Sequence, residues 1–380
     1  MESNLVNFYD LAILREVIPF LRLRYRILRH QAQSVHLHRE HNVLIVAPCI
    51  VGDCLSCLPA IEAFAKENEI FYDIVVSPDF ESLALQLRRR RHVFVASSSY
   101  KRTTEASKRI RQNIPSQYDL IVVLRFSPAA FELIRDIKCQ RVISSDFALL
   151  RYIAGVAKSS LLGRPVVQTR SAMYEVLKTR PESANGHLPI VFTDCNGKRN
   201  PVNDIPALQG TDMKILVHPG SGWRVKLWSD DRWVGLIERI NSISDCRFIF
   251  VGRGEVEKST FQRIQSRLDF RLYSLINALN LWELFQVMKQ CDVFIGIDSG
   301  PRNLAHLADL RSITLLNPAA VKNFMPYDDR DIVVERPNRF PANIVNTRRG
   351  ANLSNITENE VFEAYERLLI HVSRAVRTLN

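Results

Sequence analysis

Short runs of apolar residues alternate with amphipathic stretches along most of this chain, beginning near residue 42. In the first half these runs have the length of buried strands. They lie at 42–48, 72–78, 92–97, 119–125 and 139–145. Helical spacing of apolar residues fills the intervals, for example at about 53–68 and 104–112. Continuous apolar strands joined by helices are typical of a parallel sheet covered on both faces, so the pattern predicts a doubly wound α/β domain.

The same alternation resumes in the second half, after a polar stretch rich in Pro and Gly at 194–212 that we interpret as a linker. Strands are predicted from 214 and 247 and at 293–297 and 313–316. The helices are predicted at 231–242, 257–268, 281–291 and from Arg302. The chain should therefore contain two Rossmann-like doubly wound domains facing a cleft, with ligands bound at the carboxyl ends of the two sheets.

Two terminal segments stand outside this alternation. Residues 1–40 are basic and amphipathic, and Pro19 divides them into two short helical stretches. They can lie on an anionic membrane or form a surface helix whose arginines are merely solvated, and the sequence leaves both interpretations open. Residues 351–380 contain a helix whose capping box pairs Thr357 with Glu360, and we expect this helix to pack back on the N-terminal domain.

At 380 residues, with 46% hydrophobic and 24% charged residues, the chain has the size and composition of a two-domain globular protein. It has no run of about 20 apolar residues and no signal-peptide pattern, so we expect a cytoplasmic protein. The net charge of +11 indicates an anionic partner, and nucleic acid is disfavoured because no nucleic-acid-binding motif is present. Cys54-x-x-Cys57 lacks a second Cys or His pair nearby, so we expect buried thiols, no metal ion and no cofactor.

The candidate chemistry lies in loops that follow predicted strands. Gly52 permits a tight turn after the first strand, and Asp53 at the start of the next helix can act as the general base for an attacking hydroxyl. The same aspartate can instead be a helix N-cap, and the local sequence by itself favours the cap.

In the second half, the turn Asp298-Ser299-Gly300-Pro301 leaves backbone N–H groups at the positive end of a helix dipole, a geometry that binds phosphate. Two glycine loops add further candidate donor ligands. They are Ser221, Gly222, Arg224 and Lys226 in one loop, and Gly252 and Arg253 in the other. Because such loops are concentrated in the second half, we expect this half to bind a nucleotide diphosphate and the first half to hold the second substrate and the base.

The sequence contains no Walker lysine motif, no GxGxxG followed by an acidic residue in a βαβ unit, and no serine nucleophile elbow. A P-loop NTPase and a dinucleotide-dependent dehydrogenase are therefore disfavoured. From about Val43 to Leu369 the chain resembles glycosyltransferase family 9, the bacterial heptosyltransferases. The resemblance is carried by NVLIVAPCIVGDC, ILVHPGSGWRVKLW, DVFIGIDSGPRNLAHLADL and NITENEVFEAYERLL.

This resemblance implies a glycosyltransferase-B fold, with an acceptor-binding domain at 41–205 and a nucleotide-sugar-binding domain at 206–350. It also implies transfer of a sugar, with inversion and without a required metal, from a nucleotide diphosphate such as ADP-heptose to lipopolysaccharide core or another acceptor. Asp53 matches the catalytic base of the family, and Lys226 matches the lysine that contacts the donor phosphate. The donor-site turn of the family is matched by Asp298, Ser299 and Gly300, and Asn303 stands where the family usually has His.

The acceptor side is less defined by the sequence. We assign it to Arg125 and to Arg88, which opens a basic run at 88–91, although that run can equally be a solvated face. The expected acceptor is a hydroxyl of a glycan, glycolipid or protein, and the expected location is the inner face of the cytoplasmic membrane. A nucleotide-sugar epimerase or hydrolase and a non-catalytic sugar-nucleotide-binding protein remain as alternatives.

Overall fold

A computed structural model describes the larger part of the chain. The described residues are 41–47, 51–96, 110–124, 128–144, 204–220, 227–316, 330–335 and 353–377, together with Met173, Leu177 and Phe192. They belong to two units: those up to Ser144, with Met173 and Leu177, form the first, and those from Phe192 onward form the second. The basic segment at 1–40 lies outside the described residues.

The first unit is built on a five-stranded sheet in which all neighbouring strands are parallel. Its strands are β1 (Val43–Ala47), β2 (Tyr72–Val76), β3 (Arg90–Val95), β4 (Gln117–Val123) and β5 (Lys138–Ser144). Its helices are α1 (Val51–Glu67), α2 (Glu81–Ala84) and α3 (Pro128–Ile134). The spatial order is β3-β2-β1-β4-β5, so the direction of winding reverses between β1 and β4.

The core of the first unit explains why β1 and most of β2 are apolar. Every residue of β1 and of β2 is buried, as expected for strands of a parallel sheet covered on both faces. The side chains of Leu44 and Val46 belong to one cluster with Phe131 and Ile134 of α3. Helix α1 is buried along 54–65, which holds its first turn firmly at the edge of the sheet.

The second unit has a six-stranded parallel sheet of the same kind. Its strands are β6 (Met213–His218), β7 (Cys246–Phe250), β8 (Tyr273–Ser274), β9 (Val293–Ile297), β10 (Arg311–Leu316) and β11 (Asp331–Glu335). Its helices are α4 (Asp230–Ile243), α5 (Glu255–Gln265), α6 (Leu281–Met288), α7 (Gly300–Leu307) and α8 (Glu358–Arg377). The order β11-β10-β9-β6-β7-β8 places the reversal between β6 and β9.

Helix α8 packs against α4, β10 and β11 of the second unit. Its predicted capping box is confirmed, because the Thr357 N–H donates to Glu360 Oε2 at 2.7 Å and the Glu360 N–H donates to Thr357 Oγ1 at 3.3 Å. The Trp228 indole donates to the Ile356 carbonyl at 2.9 Å and joins the start of α8 to the core. The expected packing of this helix on the N-terminal domain stays a prediction.

The predicted fold class is confirmed: each unit is a doubly wound α/β sheet. Strands β8 and β11 were not predicted from the sequence. Strand β8 has only two residues, and no helix was predicted in the sequence just before β11. Of the helix predicted at 104–112, the described residues 110–112 are helical. Among the described helices, none is both long and apolar enough to cross a membrane.

Candidate functional site

The carboxyl edge of the first sheet has its switch point between β1 and β4, where ligands of doubly wound sheets bind. The two strand ends are joined by the Leu124 N–H, which donates to the Val46 carbonyl at 3.0 Å. Arg125, the predicted acceptor residue, follows Leu124 directly in the chain but lies outside the described residues.

Asp53 lies at this edge, in the first turn of α1, and is half-buried. The N-cap interpretation is not supported, because α1 already begins at Val51 and Asp53 is its third residue. Two contacts hold this turn: Cys54 Sγ donates to the Ala47 carbonyl at 3.3 Å, and Ser56 Oγ donates to the Asp53 carbonyl at 2.9 Å. The carboxylate is therefore carried by a rigid backbone at the place where a ligand of this sheet is expected.

Arg88 is exposed and precedes β3 at the amino edge of the same sheet. Since the strands are parallel, this edge is opposite to the one that carries Asp53. The structure therefore does not bring Arg88 and Asp53 together. The neighbouring Arg91 contributes to this edge by donating to Asn42 Oδ1 at 2.8 Å, next to the start of β1.

In the second unit, glycines form the loop between β7 and α5. Gly252 has a φ of 147° and Gly254 a φ of 126°, backbone conformations that side-chain-bearing residues rarely adopt. The N–H of Gly254, at the N-cap position of α5, donates to Asn277 Oδ1 at 2.7 Å. This loop, which also carries Arg253, is thereby held at the carboxyl edge of the sheet.

Glu257 lies in the first turn of α5 and is buried against these glycines, with 7% of its surface exposed. A Cβ atom on Gly220 would lie 2.2 Å from its Oε1, and one on Gly252 would lie 2.7 Å from its Cγ. The side chain of Glu257 therefore packs against glycines of two loops, at the carboxyl edge of the second sheet.

The turn between β9 and α7 completes this edge. Asp298 is 4% exposed, and its N–H donates to the Leu315 carbonyl at 3.2 Å. Ser299 occupies the N-cap position of α7, but no side-chain hydrogen bond caps the helix. Its Oγ instead lies 3.1 Å from Nδ1 of His218 and 3.0 Å from the Ile297 carbonyl. The Ser299 side chain therefore does not cap the start of α7, which is the positive end of the helix dipole.

His218 ends β6, and its imidazole is 4% exposed. Burial lowers the pKa of His218 to about 4, because the charged ring would lose its hydration. The ring is therefore neutral near pH 7 and contributes hydrogen bonds rather than a charge to this edge.

A buried ion pair joins helix α7 to strand β11. Arg302, 1% exposed, bonds to Asp331 at the start of β11, and its Nε donates to Thr314 Oγ1 at 3.1 Å. Thr314 Oγ1 in turn donates to Asp331 Oδ1 at 3.0 Å. Asn303 is buried in the same turn of α7. The contacts of Arg302 thus fix the helix whose N-terminus faces the candidate site.

The structure describes six of the ten predicted donor residues. Gly252, Arg253, Asp298, Ser299, Gly300 and Asn303 lie in loops or first turns at the carboxyl edge of the second sheet. Ser221, Gly222, Arg224 and Lys226 lie outside the described residues. Sequence reasoning missed His218 and Glu257 as site residues; the available signals were a histidine ending a buried strand and an acid one turn after a glycine loop.

Among the described residues, no group of three or more His, Cys, Asp or Glu side chains could hold a metal ion. The carboxyl edge of the first sheet provides a carboxylate, and that of the second sheet provides glycine-loop amides, a helix start and a neutral imidazole. These groups suit binding of an anionic ligand and proton removal from a hydroxyl.

Comparison with known proteins agrees with this chemistry. The sequence model described as glycosyltransferase family 9 (heptosyltransferase) matches residues 107–349. This is well over half of the chain, so the chain belongs to glycosyltransferase family 9, as the sequence motifs predicted. A search of curated protein sequences found no match.

Solved structures share the fold at low sequence identity. A family 9 glycosyltransferase from Veillonella parvula matches with a TM-score of 0.68 and 15% identity, over 89% of this chain and 100% of that chain. E. coli ADP-heptose lipopolysaccharide heptosyltransferase II matches with a TM-score of 0.63 and 14% identity, over 87% of this chain and 99% of that chain. E. coli heptosyltransferase WaaC with ADP matches with a TM-score of 0.58 and 18% identity, over 86% of this chain and 97% of that chain. The chain is thus a glycosyltransferase with the glycosyltransferase-B fold.

Proposed function

We propose that this chain transfers a sugar from a nucleoside diphosphate to a hydroxyl group of a cell-envelope glycan or glycolipid. The observation that carries the proposal is the set of strand-end loops after β6, β7 and β9, which places Glu257, His218 and the start of α7 at one edge of the second sheet. Membership of family 9 supports glycosyl transfer as the reaction of this site.

The donor would occupy the second unit. Its diphosphate would lie at the start of α7, where the helix dipole and the backbone N–H groups favour negative charge. The Glu257 carboxylate would repel a phosphate but would accept hydrogen bonds from ribose or sugar hydroxyls. Lys226 and Arg224 would add positive charge, as the family resemblance implies.

The reaction would be a single displacement. Asp53 would take the proton from the acceptor hydroxyl while its oxygen attacks the anomeric carbon. The bond from that carbon to the diphosphate oxygen breaks at the same time, and the nucleoside diphosphate leaves with the electron pair. Attack opposite to the leaving group inverts the anomeric configuration. Negative charge that grows on the diphosphate would be stabilised by the amides at the start of α7 and by Lys226.

The donor we favour is ADP-heptose, and the acceptor we favour is lipopolysaccharide core. Two of the solved structures with this fold support that choice, because one is described as an ADP-heptose lipopolysaccharide heptosyltransferase and another contains ADP. Asn303, in place of the usual His, is the residue that we expect to alter donor selection. A basic segment at 1–40 would hold the protein at an anionic membrane that carries the acceptor.

The test is a donor panel of ADP-, UDP- and GDP-linked sugars, including ADP-heptose, measured first by thermal shift and then by release of the nucleoside diphosphate. A true donor at 100 times its dissociation constant should stabilise the chain by ~2.7 kcal/mol. We expect stabilisation by ADP-heptose and its consumption when lipopolysaccharide core is added. If no nucleotide sugar binds or is consumed, the proposal fails and a non-catalytic role is favoured.

A further inference from the structure

The side chain of His218 lies where three loops of the second unit meet. It ends β6, its Nδ1 lies 3.1 Å from Ser299 Oγ in the β9–α7 turn, and its ring approaches the β7–α5 loop. A Cβ atom on Gly252 would lie 3.5 Å from Cδ2 of the ring. The imidazole is therefore enclosed between the β7–α5 loop and the start of α7, where the donor diphosphate was placed above.

The contacts of Ser299 favour one tautomer of the His218 ring. The Ile297 carbonyl can only accept, so Ser299 uses its single hydroxyl proton to donate to it, at 3.0 Å. Ser299 Oγ can then only accept from the ring, which places a proton on Nδ1 of His218. The low pKa of His218, about 4, means that the ring carries no second proton near neutral pH.

Ser299 is an unusual N-cap residue. A serine at this position commonly accepts a hydrogen bond from the N–H groups of the first helical turn, yet no side-chain bond of this kind caps α7. The contact with His218 holds the hydroxyl in another direction. Two consequences follow for α7: its first backbone N–H groups are not used by the serine, and the serine hydroxyl keeps a proton that it can redirect.

We propose that His218 positions Ser299 as a hydrogen-bond donor to the departing diphosphate. This rests on the proposed function. While Nδ1–H continues to donate to Oγ, the hydroxyl proton turns from the Ile297 carbonyl to a phosphate oxygen when the donor binds. The hydrogen bond strengthens as the glycosidic bond breaks, because negative charge grows on that oxygen and the His218 contact polarises the hydroxyl. His218 acts through Ser299, so it is a positioning residue.

The test compares Ser299→Ala, His218→Leu, His218→Asn and the double variant His218→Leu/Ser299→Ala. An Asn side chain can present an N–H group near the position of Nδ1, whereas Leu cannot. Binding of ADP, UDP and inorganic pyrophosphate is measured by calorimetry, and kcat and KM are measured with the sugar nucleotide that the donor panel identifies. His92→Asn is the control, since His92 contacts Asp73 near the amino edge of the other sheet.

We expect Ser299→Ala to lower kcat by ~10–100-fold, the range for loss of a hydrogen bond to a charged group. His218→Leu should lower kcat more than it raises KM, because the contact strengthens in the transition state. Adding His218→Leu to Ser299→Ala should have little further effect, and His218→Asn should restore most of the rate. His92→Asn should match the wild type.

Three results would overturn the inference: wild-type kcat in His218→Leu, independent effects of the two substitutions, or no rescue by His218→Asn. A merely structural histidine would give loss of stability in proportion to loss of rate, with no coupling to Ser299. Failure of the proposed function gives a different result, since the wild type would then bind and consume no sugar nucleotide, and the inference would fail with it.

Discussion

Replacement of Gly220 by alanine tests the packing at the centre of the candidate donor site. The added Cβ would lie 2.2 Å from both Cγ and Oε1 of Glu257, whereas carbon atoms in contact are normally ~3.5–4.0 Å apart. Because Glu257 is buried, its side chain has little room to withdraw. Overpacking of this kind typically costs ~1–3 kcal/mol, and we expect Gly220→Ala to lower the free energy of unfolding by that amount.

The assay is guanidinium unfolding followed by tryptophan fluorescence. All four tryptophans lie between 223 and 282, so the signal reports on the second unit. The same substitution made together with Glu257→Ala should cost much less, because the atoms that the new Cβ meets are gone. The coupling energy between the two positions should therefore exceed ~0.5 kcal/mol, the lower end for residues in contact.

Gly235→Ala is the matched control. Its Cβ would lie 2.7 Å from Oε2 of Glu358, but that atom is the free end of an exposed side chain that can swing away. Alanine is also favoured over glycine within a helix such as α4 by ~1 kcal/mol. We expect the control to be neutral or stabilising. If Gly220→Ala costs nothing, or costs the same with and without Glu257, the described packing of this loop is wrong.

Three further predictions concern stability and location. Burial lowers the pKa of His218 from 6.5 to about 4, so between these pH values the unfolded chain binds a proton that the folded chain does not. Between pH 7.5 and pH 5, the free energy of unfolding should therefore fall by ~2 kcal/mol more for the wild type than for His218→Asn. An equal dependence on pH in the two proteins would refute this. Arg302→Met leaves the Asp331 carboxylate buried without its counter-ion, so it should lower the free energy of unfolding by ~3–5 kcal/mol in the same assay. Adding Asp331→Leu should restore part of this loss, whereas a mild effect of the single substitution would contradict a buried ion pair. Deletion of 1–38 should abolish sedimentation with anionic vesicles at low salt while leaving neutral vesicles unaffected, and equal binding by the full and shortened chains would end the membrane proposal.

Much of the fold could be predicted from local pattern. The apolar runs around β1 and β9 are continuous because both strands are buried on two faces, and the capping box at Thr357 depends on residues three positions apart. Glycine turns after predicted strands likewise located the loops of the second unit. Helix starts were less exact: α1 begins two residues before Asp53, which removed the N-cap interpretation.

The parts that escaped prediction depend on residues distant in the chain. Glu257 is buried because Gly220 and Gly252, from two other loops, leave room for it. The contact of His218 with Ser299 joins residues 81 positions apart. Neither residue type would single out the site by itself. The position of Arg88 was predictable from topology, since a residue that precedes a parallel strand lies at the edge opposite to residues that follow one.

The central claim is that Asp53 removes a proton from an acceptor hydroxyl while the second unit holds a sugar nucleotide. The most direct measurement is the single-turnover rate of transfer by Asp53→Asn, alongside its affinity for the same donor. The substitution keeps the size of the side chain but removes the base. We predict unchanged donor affinity and a rate lower by ~10²–10⁴-fold. Transfer near the wild-type rate would contradict the account.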